Sequence, residues 1–166
     1  MLSKAVVALC FAWVLTTTGP VFQVTRVIDG DTLLLSNGER VRLIGVDTPE
    51  LYHPLKPVQY FAEEASQFTH KMAEGKRVRL EYDWRRLDRY NRLLAYVYLE
   101  DGTFLNAEII RQGYGFAYTK YPFRYMEQFL KYEREARENE RGLWKRRETK
   151  NKEFLSNNLL TAAQQH

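Results

Sequence analysis

The sequence predicts an α+β fold that is mainly β: a small five-stranded barrel capped by three helices. Three observations predict it. Short β-favouring runs are separated by the turn pairs Asp29-Gly30, Asn37-Gly38 and Asp101-Gly102. Apolar residues recur at helical spacing after the third run and again in two later segments. A chain of 166 residues with 45% apolar and 14% aromatic content suits one domain around one core.

Residues 21–35 read as two strands around Asp29-Gly30, and Asn37-Gly38 is the next hairpin turn. Residues 39–46 then form the third strand of a meander. A Pro-bearing loop over 49–57 contains Tyr52, His53 and Lys56. Phe61, Ala65, Phe68 and Met72 fall at i, i+4, i+7 and i+11, which predicts a helix with one buried face, stopped by Gly75. Val78, Leu80 and Tyr82 alternate through a strand at 76–83, residues 85–92 form a charged loop, and 93–99 is the fifth strand. Leu105, Ile109 and Ile110 mark a short helix ending at Gly113. Met126, Phe129 and Leu130 mark a last helix over 123–139, after which Gly142-Leu143-Trp144 packs back onto the body. Five strands with a helix after the third suit an OB-type barrel, an architecture that holds nucleic acids or sugars on one face.

The amino terminus reads as a targeting segment over 1–19. Lys4 is a short basic stretch and residues 5–15 are an apolar run too short for a comfortable membrane span. No Ala-x-Ala cleavage pattern follows, so an uncleaved membrane anchor stands as the alternative. Either way the expected location is extracytoplasmic: secreted, periplasmic or at the cell surface. Cys10 is the only cysteine and lacks the small preceding residue expected before a lipidated one. The body, 20–146, therefore uses neither disulfides nor a thiolate zinc site. Residues 147–166 are polar and basic and read as a mobile tail. A charged fraction of 28%, a mean hydropathy of −0.50, a net charge of +4 and a pI of about 9.1 describe a soluble body that favours acidic partners such as nucleic acid. Ordinary solvated surface charge accounts for the same excess.

Two acidic clusters carry the chemistry: Asp29-Gly30-Asp31-Thr32, and Asp47-Thr48-Pro49-Glu50 at the end of the next strand but one. Paired strand ends would bring Asp31, Asp47 and Glu50 beside Arg42, which reads as inward-facing. Clustered carboxylates suit a hard, oxygen-preferring cation such as calcium. The planar guanidinium fork suits two phosphate oxygens. Metal, phosphate clamp and spare carboxylate are the parts that hydrolyse a phosphodiester. Each cluster alone is also a common turn or helix-start sequence; the joint pattern is the informative one.

On these residues the chain resembles the staphylococcal nuclease (thermonuclease) family. The matching stretches are Val27-Ile28-Asp29-Gly30-Asp31-Thr32, residues 42–50, Asp88-Arg89-Tyr90-Asn91-Arg92-Leu93-Leu94-Ala95-Tyr96, and residues 106–113, in the family's order and spacing. The resemblance implies a five-stranded OB barrel with three helices and a calcium-dependent nuclease that cleaves DNA and RNA with little base preference, leaving 3′-phosphate ends. It implies Asp31, Asp47 and the Thr48 carbonyl as calcium ligands. It implies Arg42 and Arg92 as phosphate-binding groups and Glu50 as the group acting on the attacking water. Arg89, Tyr90 and Tyr118 fit its nucleotide-contacting positions. Asn91 and Arg89 depart from a glycine and a lysine usual in the family's most familiar member. The segment after Gly113 leaves a second nucleotide-binding tyrosine open, Tyr121 or none.

Arg85, Arg86 and Arg89 form either a solvated face or a phosphate-contacting patch. Tyr82, Tyr96 and Tyr98 are expected in or on the barrel, and His53 and His70 at the surface. The expected protein is a monomer acting on nucleic acid without a protein partner. The alternative is a non-catalytic nuclease-like module of the cell envelope that binds nucleic acid or protein, which would be expected to lack one of Asp31, Arg42, Asp47, Glu50 or Arg92.

Overall fold

The computed structural model describes residues 20–51 and 57–145. The predicted targeting segment, the predicted tail, and Tyr52, His53 and Lys56 lie outside the described residues. In chain order the elements are β1 (Val21–Asp29), β2 (Thr32–Leu35), β3 (Arg40–Leu43), β4 (Val46–Asp47), α1 (Ala62–Ala73), β5 (Arg77–Glu81), β6 (Leu93–Leu99), α2 (Leu105–Arg111), β7 (Phe116–Ala117) and α3 (Met126–Glu138). A 3₁₀ turn, Gly142–Trp144, follows.

Five strands close a barrel in the order β1-β2-β3-β6-β5. β1 pairs with both β2 and β5, which closes the ring, and β3 runs parallel to β6. Closure leaves the barrel strands no open edge. Val24, Leu33, Val41, Val78, Ala95 and Val97 are fully buried inside it. Val24 and Val27 both point inward although they are three apart in sequence, where a two-residue pleat would put them on opposite faces. A register shift between Val24 and Arg26 inserts the extra residue and restores the match.

The predicted strand 39–46 is two strands, not one. β3 ends at Leu43, the chain turns at Ile44-Gly45, and β4 leaves the barrel to pair with β7. Gly45 holds φ at 73°, and a β-carbon there would lie 2.5 Å from the Phe123 ring. The turn therefore requires glycine on both conformational and steric grounds. β4 and β7 have two residues each, too short to show a period in sequence.

The helices cover the barrel. The buried stripe of α1 is Ala62, Ala65, Ser66, Thr69 and Ala73. It is offset from the predicted stripe: Phe61 precedes the helix at φ 68°, and Phe68 and Met72 pack at its margin. Small side chains let the helix backbone lie close to β1, and Phe68 stacks on Tyr114 at 4.1 Å. α3 begins at Met126 rather than 123; Phe129 is fully buried while Leu130 is exposed. Trp144 returns to the body as expected, edge-on to Phe116 with the Arg137 guanidinium 4.4 Å from its ring. Tyr96 is fully buried and donates its hydroxyl to Asp83, while Tyr82 and Tyr98 are half-buried against the barrel.

Candidate active site

The β1–β2 turn and the segment after β4 are pressed together. A β-carbon on Gly30 would lie 2.6 Å from Thr48 Oγ1, so only glycine allows the approach. Thr48 N–H donates to Asp31 Oδ2 at 3.2 Å, and Leu43 N–H donates to the Asp31 carbonyl at 2.9 Å. Asp31 and Thr48 are 6% and 4% exposed, which fixes both acidic segments in one frame.

Arg42 lies opposite Thr32 in the β2–β3 ladder. Val41 and Leu43 on either side of it enter the core, so strand alternation sends Arg42 to the other face, into a cleft outside the barrel rather than inward. There its Nη1 meets Asp31 Oδ2 at 2.6 Å and the Val46 carbonyl at 2.7 Å, and its Nη2 meets Asp47 Oδ1 at 3.1 Å. One guanidinium thus spans both predicted metal-binding carboxylates.

Arg92 reaches the same place through a different device. Asp88 Oδ1 accepts the backbone N–H groups of Tyr90 (2.8 Å) and Arg92 (3.0 Å), which folds the loop back on itself. Asn91 takes the left-handed conformation at φ 58°, which asparagine tolerates. Asp88 Oδ2 then accepts from Arg92 Nε at 2.7 Å, leaving Nη1 3.4 Å from Thr32 Oγ1. Thr32 in turn donates to Asp31 Oδ1 at 3.0 Å. Burial works against the Asp88 charge, but the donors from Arg92 and Tyr90 overcome it and hold the carboxyl below its ordinary pKa.

Arg89 donates to the Tyr90 hydroxyl at 2.6 Å, and the guanidinium groups of Arg89 and Arg92 stand 4.7 and 5.4 Å from the Tyr90 ring. Tyr118 N–H is held by the Gly45 carbonyl at 3.0 Å, which ties it to the same turn that launches β4. Glu50 N–H donates to Gln59 Oε1 at 3.2 Å, and Gln59 N–H donates to the Glu50 carbonyl at 3.2 Å.

Asp31, Arg42, Asp47, Glu50, Arg89, Tyr90, Arg92 and Tyr118 all line one cleft of about 460 Å³. Thr48 does not line it and sits in the wall behind. Arg85 joins the lining, whereas Arg86 lies over the Tyr82 ring at 4.0 Å. Tyr121 also lines the cleft, its ring 6.4 Å from that of Tyr118. His70 pairs with Glu74 on α1, away from the cleft lining.

Sequence reasoning assigned no role to two residues that the geometry brings forward. Asp88 is the residue that aims Arg92, and the Asp-x-x-x-Arg spacing was its visible sign. Asp29 lines the cleft beside Asp31. Burial, opposed by the Gly30 N–H and reinforced by the charges of Asp31 and Glu50, pushes its pKa up to about 6. Asp47 has a side chain that is 51% exposed, yet the protein packed around it raises its pKa; Arg42 opposes this, and Asp31 and Glu50 add to it.

Among the described residues no group of three or more His, Cys, Asp and Glu side chains forms a metal cage. The site nevertheless fits an oxygen-preferring cation with room for water and substrate oxygens. Asp29 and Asp47 each feel the repelling charges of Asp31 and Glu50, and all four carboxylates line the one open cleft.

Residues 40–146 match the family described as staphylococcal nuclease homologue. The thermonuclease of Staphylococcus intermedius is 42% identical over 132 residues, covering 77% of this chain and 78% of that protein. The thermonuclease of Staphylococcus hyicus is 39% identical over 127 residues, 74% and 75% of the two chains. Endonuclease YncB of Bacillus subtilis (strain 168) is 38% identical over 125 residues, 72% of this chain and 59% of that one. The chain belongs to the staphylococcal nuclease family and is a hydrolytic enzyme of the nuclease class.

Proposed function

We propose that the cleft is a calcium-dependent phosphodiesterase site that cleaves DNA and RNA with little sequence preference and leaves 3′-phosphate and 5′-hydroxyl ends. The observation that carries this reading is the shared frame of two arginines and two carboxylates. Arg42 bridges Asp31 and Asp47, and Arg92 arrives at Asp31 through Thr32.

Asp31, Asp47 and the Thr48 carbonyl would hold the cation. Bound there, calcium supplies Lewis-acid polarisation of the phosphate and offsets charge as the five-coordinate state forms. The remaining work belongs to side chains of this chain. Arg42 and Arg92 are permanently charged, so they clamp the phosphate and stabilise its growing charge rather than move protons. Glu50 accepts a proton from the attacking water. The new bond forms between that water oxygen and phosphorus, and the bond to the 5′ oxygen breaks, that oxygen taking a proton from solvent water to become the 5′-hydroxyl. Arg89 contacts phosphate, and Tyr90 and Tyr118 offer rings to bases. Ring stacking reads no sequence, which suits a nuclease without base preference.

The same reading has the protein acting as a monomer outside the cytoplasm, delivered or anchored by residues 1–19. Support comes from the basic and apolar pattern of that segment alone. Among the described residues no helix is long and apolar enough to cross a membrane.

The test is release of acid-soluble nucleotides from DNA and from RNA by the purified protein. The expected result is release from both in calcium and none in excess chelator. Binding of both polymers without release under any divalent cation would favour the non-catalytic module.

A further inference from the structure

Trp84 has no role in the site described so far, yet it lines the same cleft. It is 68% exposed, the most exposed large hydrophobic residue among the described residues. An indole left this open forgoes the burial that usually places tryptophan in a core. Its conformation is nonetheless fixed. The Nε1–H donates to the Pro122 carbonyl at 3.1 Å, and the backbone N–H donates to Asp83 Oδ1 at 2.8 Å. The single polar group of the ring is therefore satisfied by protein, while the ring itself meets solvent.

Two further exposed rings line the cleft: Tyr90 at 56% and Tyr121 at 51%. Tyr118 and the half-buried Phe123 also line it. A base has two faces, so one base cannot occupy all of these rings. Cations accompany the outer rings as well. Lys120 Nζ lies 5.8 Å from the Tyr121 ring centre, and Arg85 follows Trp84 with its Nε held on the Leu87 carbonyl at 2.9 Å. Aromatic rings interleaved with cations along a groove are the arrangement that tracks an unpaired strand, the rings taking bases and the cations taking the backbone.

We infer that Trp84, with Arg85 next to it in sequence and Lys120 lining the same cleft, forms a stacking subsite for a base of single-stranded DNA or RNA adjacent to the nucleotide held at the acidic cluster. This rests on the nucleolytic reading above and adds to it one contact, at Trp84, that only an unpaired base can make. In a duplex the base faces are covered by their neighbours, so Trp84 gains nothing there.

The experiment is fluorescence anisotropy with a labelled hexadeoxythymidylate and a labelled duplex, in chelator to prevent hydrolysis, using the full chain. Trp84→Ala is expected to weaken binding of the single strand about 5- to 150-fold, the loss for one base stack. Duplex affinity is expected to stay within about 2-fold, since no stack is lost there. Trp84→Phe keeps a ring but loses the hydrogen bond to Pro122, and is expected to recover most of the single-strand affinity. Equal single-strand affinity for wild type and Trp84→Ala overturns the inference, and so does an equal loss on duplex. Failure of Trp84→Phe to recover means that the indole acts only by holding Pro122, which also overturns it. All three results leave calcium-dependent hydrolysis by the wild type standing. A wild-type protein that neither binds nor cleaves either strand removes the nucleolytic reading itself.

Discussion

Arg42 and Arg92 look alike as charges but are held differently. Arg42 has both Nη groups committed to the carboxylates it lies between, while Arg92 is steered through its Nε and presents its outer nitrogens. The proposed chemistry asks Arg92 and Glu50 to act on charge that grows only in the transition state. Losses on substitution then fall on kcat with smaller changes in KM. Arg92→Ala is expected to lower kcat about 100- to 1,000-fold, the effect of removing one charge-stabilising donor. Glu50→Gln is expected to lower it about 100- to 10,000-fold, the range for a general base. Steady-state kinetics on one oligonucleotide checks both; a near-normal kcat for Glu50→Gln removes its role as base. Both residues were legible in the sequence because their neighbours form recognisable strings, Thr-Pro-Glu and Asp-Arg-Tyr-Asn-Arg. Asp88 and Asp29 were not given roles, because aiming an arginine and sharing a charge field are properties of distance that a sequence does not display.

Asn106 joins three elements and so belongs to the next scale. It is fully buried at the start of α2, its Nδ2 donating to the carbonyls of Ile44 (3.0 Å) and Ala95 (3.2 Å) and its Oδ1 accepting from Val97 N–H at 2.9 Å. Ile44 begins the turn that carries Gly45, β4 and Asp47, so the amide connects the barrel wall to the acidic cluster. Asn106→Ala is expected to orphan the Ile44 carbonyl and the Val97 N–H, at about 1–3 kcal/mol each. Ala95 O keeps its bond from Ile44 N–H. Urea denaturation checks the size of the loss, and wild-type stability in the variant would contradict it. The barrel strands were readable from alternation and turn pairs. The break at Gly45, the β4–β7 ladder and the offset face of α1 were not. Glycine inside an apolar run does not announce a turn that depends on Phe123, seventy-eight positions away, and an apolar stripe of large residues conceals a contact made by small ones.

At the scale of the molecule, a body with net positive charge carries one concentrated acidic spot. The basic excess draws a polyanion to the surface, whereas the acidic spot on its own would repel it. A divalent cation bound there would resolve the conflict by offsetting charge where the phosphate is proposed to sit. Calcium and nucleotide are then expected to bind cooperatively, each tightening the other by the same factor. Composition made the basic excess visible, but only the fold shows that Asp29, Asp31, Asp47 and Glu50 share one field. The most direct measurement is a calorimetric calcium titration of the wild type and of the Asp31→Ala, Asp47→Ala double variant, each with and without a short oligonucleotide. Calcium is expected to bind the wild type, more tightly with the oligonucleotide present, and not to bind the double variant; tight calcium binding retained by the double variant would contradict the proposed site.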